Sequence, residues 1–191
     1  MIPSRQEVLY RLYGTLRLAR FDPAGAQYFD ESPEAAARSF FAAALVTPAY
    51  FFINLMAPAE AAGQREVTFV TILAMFLVYS LSWTVFPVVA FHICRTINRE
   101  RAFFRFLSAN NWSRVLTYHL GLVMFVLLVG GSVPPGFAAL LALAGAAFLI
   151  GYSWFIARSC LNISAAGAAG FLVLQITIEF FIMFFAAVVL S

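Results

Sequence analysis

The chain has 191 residues, of which 63% are hydrophobic and only 11% are charged, and its mean hydropathy is +0.88. Soluble domains carry roughly 25% charged residues, so this composition excludes a water-soluble globule. All the basic residues are arginine, and the net charge is +3. Because these arginines flank apolar runs, their positions indicate membrane topology rather than a nucleic-acid partner.

The first predicted element is an amphipathic helix over residues 1–21, in which the apolar residues recur at helical spacing and the arginines mostly face away from them. The apolar positions are Leu9, Leu12, Leu16 and Ala19, and the arginines are Arg5, Arg11 and Arg17. Such a helix lies either on the membrane surface or against the protein's own cytoplasmic face, and the sequence leaves both open. We assign residues 1–32 to this cytoplasmic segment and 33–191 to a membrane domain.

Five apolar runs follow, each long enough as a helix to cross the ~30 Å hydrocarbon core of a bilayer. Ser32, Pro33 and Glu34 form a start signal before the first run, because they suit the N-cap, the first position and the positive end of a helix. The runs cover about 39–57, 67–94, 115–131, 137–157 and 165–190, and the connection at 58–66 is polar. We therefore predict an all-α polytopic membrane bundle of five transmembrane helices with an N-terminal amphipathic interfacial helix.

Two further features concern the shape and packing of these runs. Pro48 and Pro87 are expected to bend the first and second helices. Small residues on the fourth run predict a face suited to close helix packing. They are Ala138, Ala142, Gly145 and Ala146.

The distribution of arginine predicts the orientation. Every arginine except Arg65 falls before the first run, between the second and third, or between the fourth and fifth. Positive residues stay on the cytoplasmic side of a membrane. We therefore predict a bacterial inner-membrane protein with a cytoplasmic N-terminus and a periplasmic C-terminus.

Glu179 is the one carboxylate that lies near the middle of an apolar run. A charge at the bilayer centre costs about 2.5–3.5 kcal/mol, and no arginine is expected at that depth, so we predict a neutral, hydrogen-bonded acid. Its role is either a structural contact between helices or subunits, or a proton or cation site in a small transporter. The other predicted members of this intramembrane polar site are Gln175, Tyr79, Ser80 and Thr84.

Residues 95–114 combine arginine with aromatic side chains, a composition typical of a helix at lipid headgroups. Each basic residue near an anionic membrane surface contributes ~1 kcal/mol of binding. The alternative is that these arginines only determine topology. The predicted headgroup-binding residues are Arg95, Arg99, Arg101, Arg105, Arg114 and Trp112.

We find no nucleophile elbow, phosphate-binding loop or zinc-protease helix in the sequence. The expectation is therefore a non-enzymatic protein without cofactor or metal ion. An intramembrane enzyme would need a cavity that joins His92, His119 and Cys94.

The layout of a polar N-terminus, five spans and a basic segment between the second and third resembles the Yip family of small membrane proteins. The stretches that look most similar to bacterial members are residues 99–123 and 152–176. The family is best known for interacting with Rab-type GTPases in eukaryotic trafficking. The Asp-Leu-Tyr-Gly-Pro signature of its eukaryotic members is missing here, so the resemblance assigns no functional residue.

The resemblance implies a scaffold or membrane-organising role. We accordingly predict an accessory protein that binds lipids and either a membrane-protein partner or further copies of itself. The alternative is a small proton- or cation-coupled transporter that uses Glu179.

Overall fold

The structure is a computed structural model that describes residues 2–57 and 68–189, and within them the chain forms seven α-helices, one 3-10 helix and no strand. The helices are α1 Arg5–Ala19, the 3-10 helix Pro23–Tyr28, α2 Pro33–Ser39, α3 Phe41–Leu55, α4 Phe69–Thr96, α5 Glu100–Val129, α6 Pro135–Leu161 and α7 Ala165–Val189. Taking α2 and α3 together, five of these segments are long and apolar enough to cross a membrane. This confirms the predicted all-α architecture. The predicted connection at 58–66, and positions 67 and 190 of two predicted runs, lie outside the described residues.

Local chemistry explains where the helices begin. The Ser32 hydroxyl accepts a hydrogen bond from the amide of Ala35 at 3.1 Å, and Pro33 is the first residue of α2, as the start signal predicts. At α4, the Thr68 hydroxyl accepts from the amide of Thr71 in a reciprocal capping box. The helix over the first run is interrupted at Phe40, which separates α2 from α3.

The third run differs from the prediction because α5 is one continuous helix from Glu100 to Val129. The predicted interfacial segment is instead the turn after α4 and the first half of α5. Two of its aromatic residues are buried against α4: the Phe103 ring lies 5.2 Å from Phe91, and the Phe106 ring lies 6.0 Å from Phe86. These two side chains therefore pack within the bundle rather than at its surface.

The first half of α5 packs against α1 and α2. With the 3-10 helix between them, these two helices form what we call the N-terminal collar, residues 5–39. The Asn111 side chain donates to the Ser39 hydroxyl at 2.9 Å, and the Tyr152 hydroxyl donates to the Thr15 carbonyl at 3.0 Å. As a result, residues 106–114 of α5 are all buried. Of the two placements left open for the N-terminal helix, the structure shows the one against the protein's own bundle.

The buried face of α1 is not the predicted one. Arg11 is only 5% exposed, whereas Leu9 is 68% exposed. Burial of Arg11 is possible because its guanidinium pairs with Asp30 and donates to the Tyr28 carbonyl. Gly14 lies on the same face, where a Cβ atom would come within 2.4 Å of the Tyr28 Cβ. A glycine is therefore required for the 3-10 helix to approach α1.

At the end of the bundle away from the collar, large apolar side chains are exposed. We call this surface the apolar band: it comprises the exposed side chains within 69–88 of α4, 120–129 of α5, 137–150 of α6 and 173–188 of α7. On α6 the predicted close-packing face is used only in part: Ala138 and Gly145 are half-buried, whereas Ala142 and Ala146 are exposed. An exposed apolar surface of this extent suits lipid or another apolar helix.

Candidate functional site

An ion pair lies among the apolar helices, between Arg114 of α5 and Glu179 of α7. The Arg114 Nη2 and Glu179 Oε1 atoms are 3.3 Å apart. The two helices run in the same direction from the same end of the bundle, and Arg114 follows Glu100 by as many residues as Glu179 follows Ala165. This contact gives Glu179 the cationic partner that the sequence analysis did not expect at this depth.

The surroundings of Arg114 explain how a guanidinium is accommodated here. Arg114 is 7% exposed, and its guanidinium carbon lies 4.8 Å from the ring centroid of Trp83 on α4. A cation stacked on indole in a desolvated setting gains about 2 kcal/mol. Arg114 is therefore held by a carboxylate on one helix and by an aromatic face on another.

Glu179 is held less completely than its partner. Its Oε1 atom accepts a second hydrogen bond from the Gln175 side chain, one turn earlier in α7, at 3.2 Å. Even so, the Glu179 side chain remains 41% exposed. The ion pair is therefore closed on the α5 side and open on the other.

The open side faces a cavity of about 240 Å³ between α3, α4, α5 and α7. Bulk water occupies ≈ 30 Å³ per molecule, so the cavity has room for several waters or for part of a larger polar group. Besides the ion pair, four side chains with polar groups line it: Tyr50, Asn54, Ser82 and Tyr118. The arrangement can thus hold a polar or charged group at a depth where the surrounding surface is apolar.

The sequence-predicted members of this site have different positions. Gln175 contacts Glu179 directly. Tyr79 does not line the cavity but packs against a residue that does, since its ring centroid is 4.6 Å from that of Tyr50. Ser80 and Thr84 do not line the cavity, contrary to the prediction. Each hydroxyl instead donates to a carbonyl one turn earlier in α4.

Sequence reasoning missed six members of the site: Arg114, Trp83, Tyr50, Asn54, Ser82 and Tyr118. The third apolar run begins after Arg114, so hydropathy places this arginine outside it. Counting positions from the helix start at Glu100 would have brought Arg114 level with Glu179. The number of residues from the helix start, rather than local hydropathy, therefore indicates the depth of Arg114 in the bundle.

The predicted headgroup-binding residues also separate into groups. Arg114 and Trp112 are buried, so they face no lipid headgroup, contrary to the prediction. Arg105 pairs with Glu31 of the collar at 3.2 Å. Arg95 and Arg101 are exposed and Arg99 is half-buried, which leaves these three at the surface.

The described ranges 2–57 and 68–189 contain no group of three or more His, Cys, Asp or Glu residues that could hold a metal ion. Cys94 is fully buried, whereas His92 and His119 are exposed. None of the three lines the cavity at the ion pair. The juxtaposition that an intramembrane enzyme would need at these residues is therefore not formed at this site.

Comparison of the chain with protein-family models, with curated proteins and with solved structures found no match. The resemblance to the Yip family stays a prediction. Function is accordingly argued from the site itself.

Proposed function

We propose that the chain is a non-catalytic, five-span protein of a bacterial inner membrane that binds lipids and helices of other membrane proteins or of further copies of itself. The arginine distribution supports a cytoplasmic collar, with the apolar band in the bilayer. In this orientation the ion pair lies within the membrane-spanning part of the bundle.

The observation that carries this proposal is the open side of the ion pair. A charged side chain at hydrocarbon depth is unfavourable unless it is paired or faces a polar group. Glu179 is paired on one side, yet 41% of its side chain is exposed beside a cavity. A polar group from a partner helix or a lipid would complete its surroundings, as polar side chains do between membrane helices.

The experiment is gentle extraction of a tagged chain from its native membrane, followed by identification of the proteins and lipids that accompany it. The variants are Glu179→Gln and Ser80→Ala, and the second is the control because its hydroxyl bonds only within α4. We expect a stoichiometric partner, protein or lipid, with the wild type and with Ser80→Ala, and a loss of that partner with Glu179→Gln. The proposal would be refuted if the folded wild-type chain is purified with neither a protein partner nor a bound lipid.

A second candidate function is a small proton- or cation-coupled transporter, and the cavity beside Glu179 is what favours it. Here Glu179 takes up and releases a proton, while Arg114 holds the carboxylate in place between transfers. Purified protein in liposomes would then show pH-dependent flux that is abolished in Glu179→Gln. The double variant Arg114→Gln with Glu179→Gln removes both charges and tests whether lost flux reflects the missing carboxylate rather than an unpaired arginine.

A further inference from the structure

A second cavity, of about 680 Å³, lies at the collar end of the bundle, where α4 ends and α7 begins. We propose that this groove holds an anionic phospholipid, with the phosphate on Arg99 and an acyl chain along the first three turns of α7. The inference rests on the proposed function in one respect, namely that the chain spans a membrane and binds lipid. It adds a specific site and a class of lipid.

The walls of the groove suit an acyl chain. Ile93 and Ile97 form the α4 side, and Phe171 and Leu174 lie on the α7 side. Gly170 lies between them, and a Cβ atom added there would have no heavy atom within 4 Å. The volume falls in the range of about 300–1,000 Å³ that is typical of ligand sites. A flexible apolar chain therefore has both the space and the surface that it needs.

The charge at one end of the groove suits a phosphate. Among the described residues Arg99 makes no ion pair, and neither do its neighbours Arg95 and Arg101. By contrast, Arg105, six residues further along the chain, pairs with Glu31. Arg99 has no such carboxylate partner among the described residues and is therefore available to an anion. Guanidinium groups bind phosphate oxygens with matching geometry, which makes an anionic headgroup the complementary occupant.

The position of the groove distinguishes a lipid from a soluble anion. Its polar end is at Arg99 and Asn162, and its apolar end is at Leu174. The apolar band on α7 begins at Val173, next to that end. A molecule with an anionic head and a long apolar tail matches this gradient, whereas inorganic phosphate would use the polar end alone.

The test is native mass spectrometry of the purified full chain in detergent, with phosphatidylglycerol, phosphatidylcholine or inorganic phosphate added. Arg99→Gln removes the charge, and Gly170→Leu places an apolar side chain in the groove, where its Cβ atom has open space. Arg5→Gln and Gly121→Leu are the matched controls, because Arg5 is exposed on α1 and a Cβ atom at Gly121 would also have nothing within 4 Å.

We expect preferential binding of phosphatidylglycerol to the wild type and to both controls. A lost charge-assisted hydrogen bond is worth about 1.5–3 kcal/mol, so Arg99→Gln should weaken this binding by at least about tenfold. Gly170→Leu should weaken the binding of phosphatidylglycerol and of phosphatidylcholine alike, because the leucine side chain excludes the acyl chain. Inorganic phosphate should not displace the lipid.

Three results would overturn the inference. If phosphatidylglycerol binds both groove variants as it binds the wild type, the groove is not the site, although lipid binding itself stands. If dimers disappear in Gly170→Leu and persist in Arg99→Gln, the groove holds a second copy of the chain instead. If no lipid binds any form, the inference fails together with the lipid-binding part of the proposed function.

Discussion

The ion pair between Arg114 and Glu179 predicts that replacing Glu179 with glutamine destabilises the protein. Two unit charges 3.3 Å apart attract by about 5 kcal/mol at an effective dielectric constant of 20. Removing one member of a fully buried pair costs about 3–5 kcal/mol, because the other charge stays buried and unpaired. Since Glu179 is 41% exposed, we expect Glu179→Gln to lower the free energy of unfolding by a smaller amount, about 2–4 kcal/mol.

Replacing Arg114 instead of Glu179 should lower the free energy of unfolding by a smaller amount. Arg114→Met leaves a carboxylate, which can be neutralised by taking up a proton, whereas an unpaired arginine stays charged. The double variant removes both charges and should be more stable than Glu179→Gln alone. We expect a coupling energy of at least about 1 kcal/mol between the two positions.

The protein carries its own probes for this measurement, because Cys94 and Cys160 are both fully buried free thiols. Each variant is equilibrated in micelles with increasing SDS and then exposed briefly to a thiol-reactive dye, which labels only unfolded chains. Ser80→Ala serves as the control and should change stability by less than about 0.5 kcal/mol. Additive effects of the two single variants, with a coupling below about 0.5 kcal/mol, would refute the inference that the charges stabilise one another.

Three further predictions concern the collar. The same labelling assay checks the first two, and loss of the helical circular-dichroism signal in SDS checks the third, because it does not require a thiolate. Gly14→Ala should destabilise the fold by about 1–3 kcal/mol although alanine favours helices, because its Cβ would meet Tyr28; a neutral or stabilising effect would contradict this. Arg11→Met should cost about 1–3 kcal/mol through the unsatisfied Tyr28 carbonyl, and limited proteolysis should show α1 released; unchanged cleavage would count against it. Hydrogen bonding to Arg17 holds the pKa of Asp22 below its ordinary value of 3.8. The carboxylate therefore stabilises the fold above pH 3.8 and loses this effect as the pH falls through the lowered pKa. The difference in unfolding free energy between the wild type and Asp22→Asn should accordingly vanish in acid, and a difference that persists there would contradict the prediction.

Composition and periodicity were sufficient to predict an all-α chain with five long apolar helices. Long apolar runs determine their own secondary structure, because backbone groups in an apolar setting must bond within the segment. The start signal at Ser32 could be located for a similar reason: capping depends on residues three positions apart.

Tertiary contacts account for what the sequence did not predict. Nothing local marks Arg11 as buried, since its partner Asp30 comes from beyond the turn that follows α1. Arg114 was assigned to the surface because hydropathy measures the local run and not the whole helix. Its burial depends on Trp83 and Glu179, which lie on two other helices. The polar site could be predicted at Glu179 and Gln175, which share one helix, but not across helices.

The collar also has a consequence for the order in which the chain assembles during synthesis. Its residues emerge from the ribosome before the rest of the bundle, yet Thr15 accepts its hydrogen bond from Tyr152, 137 residues later. The contact between Ser39 and Asn111 spans 72 residues. The collar therefore cannot close until α6 has been made, and until then the polar side chains that it buries remain open to water and chaperones. Closure of the collar thus reports that α6 has been synthesised and correctly placed.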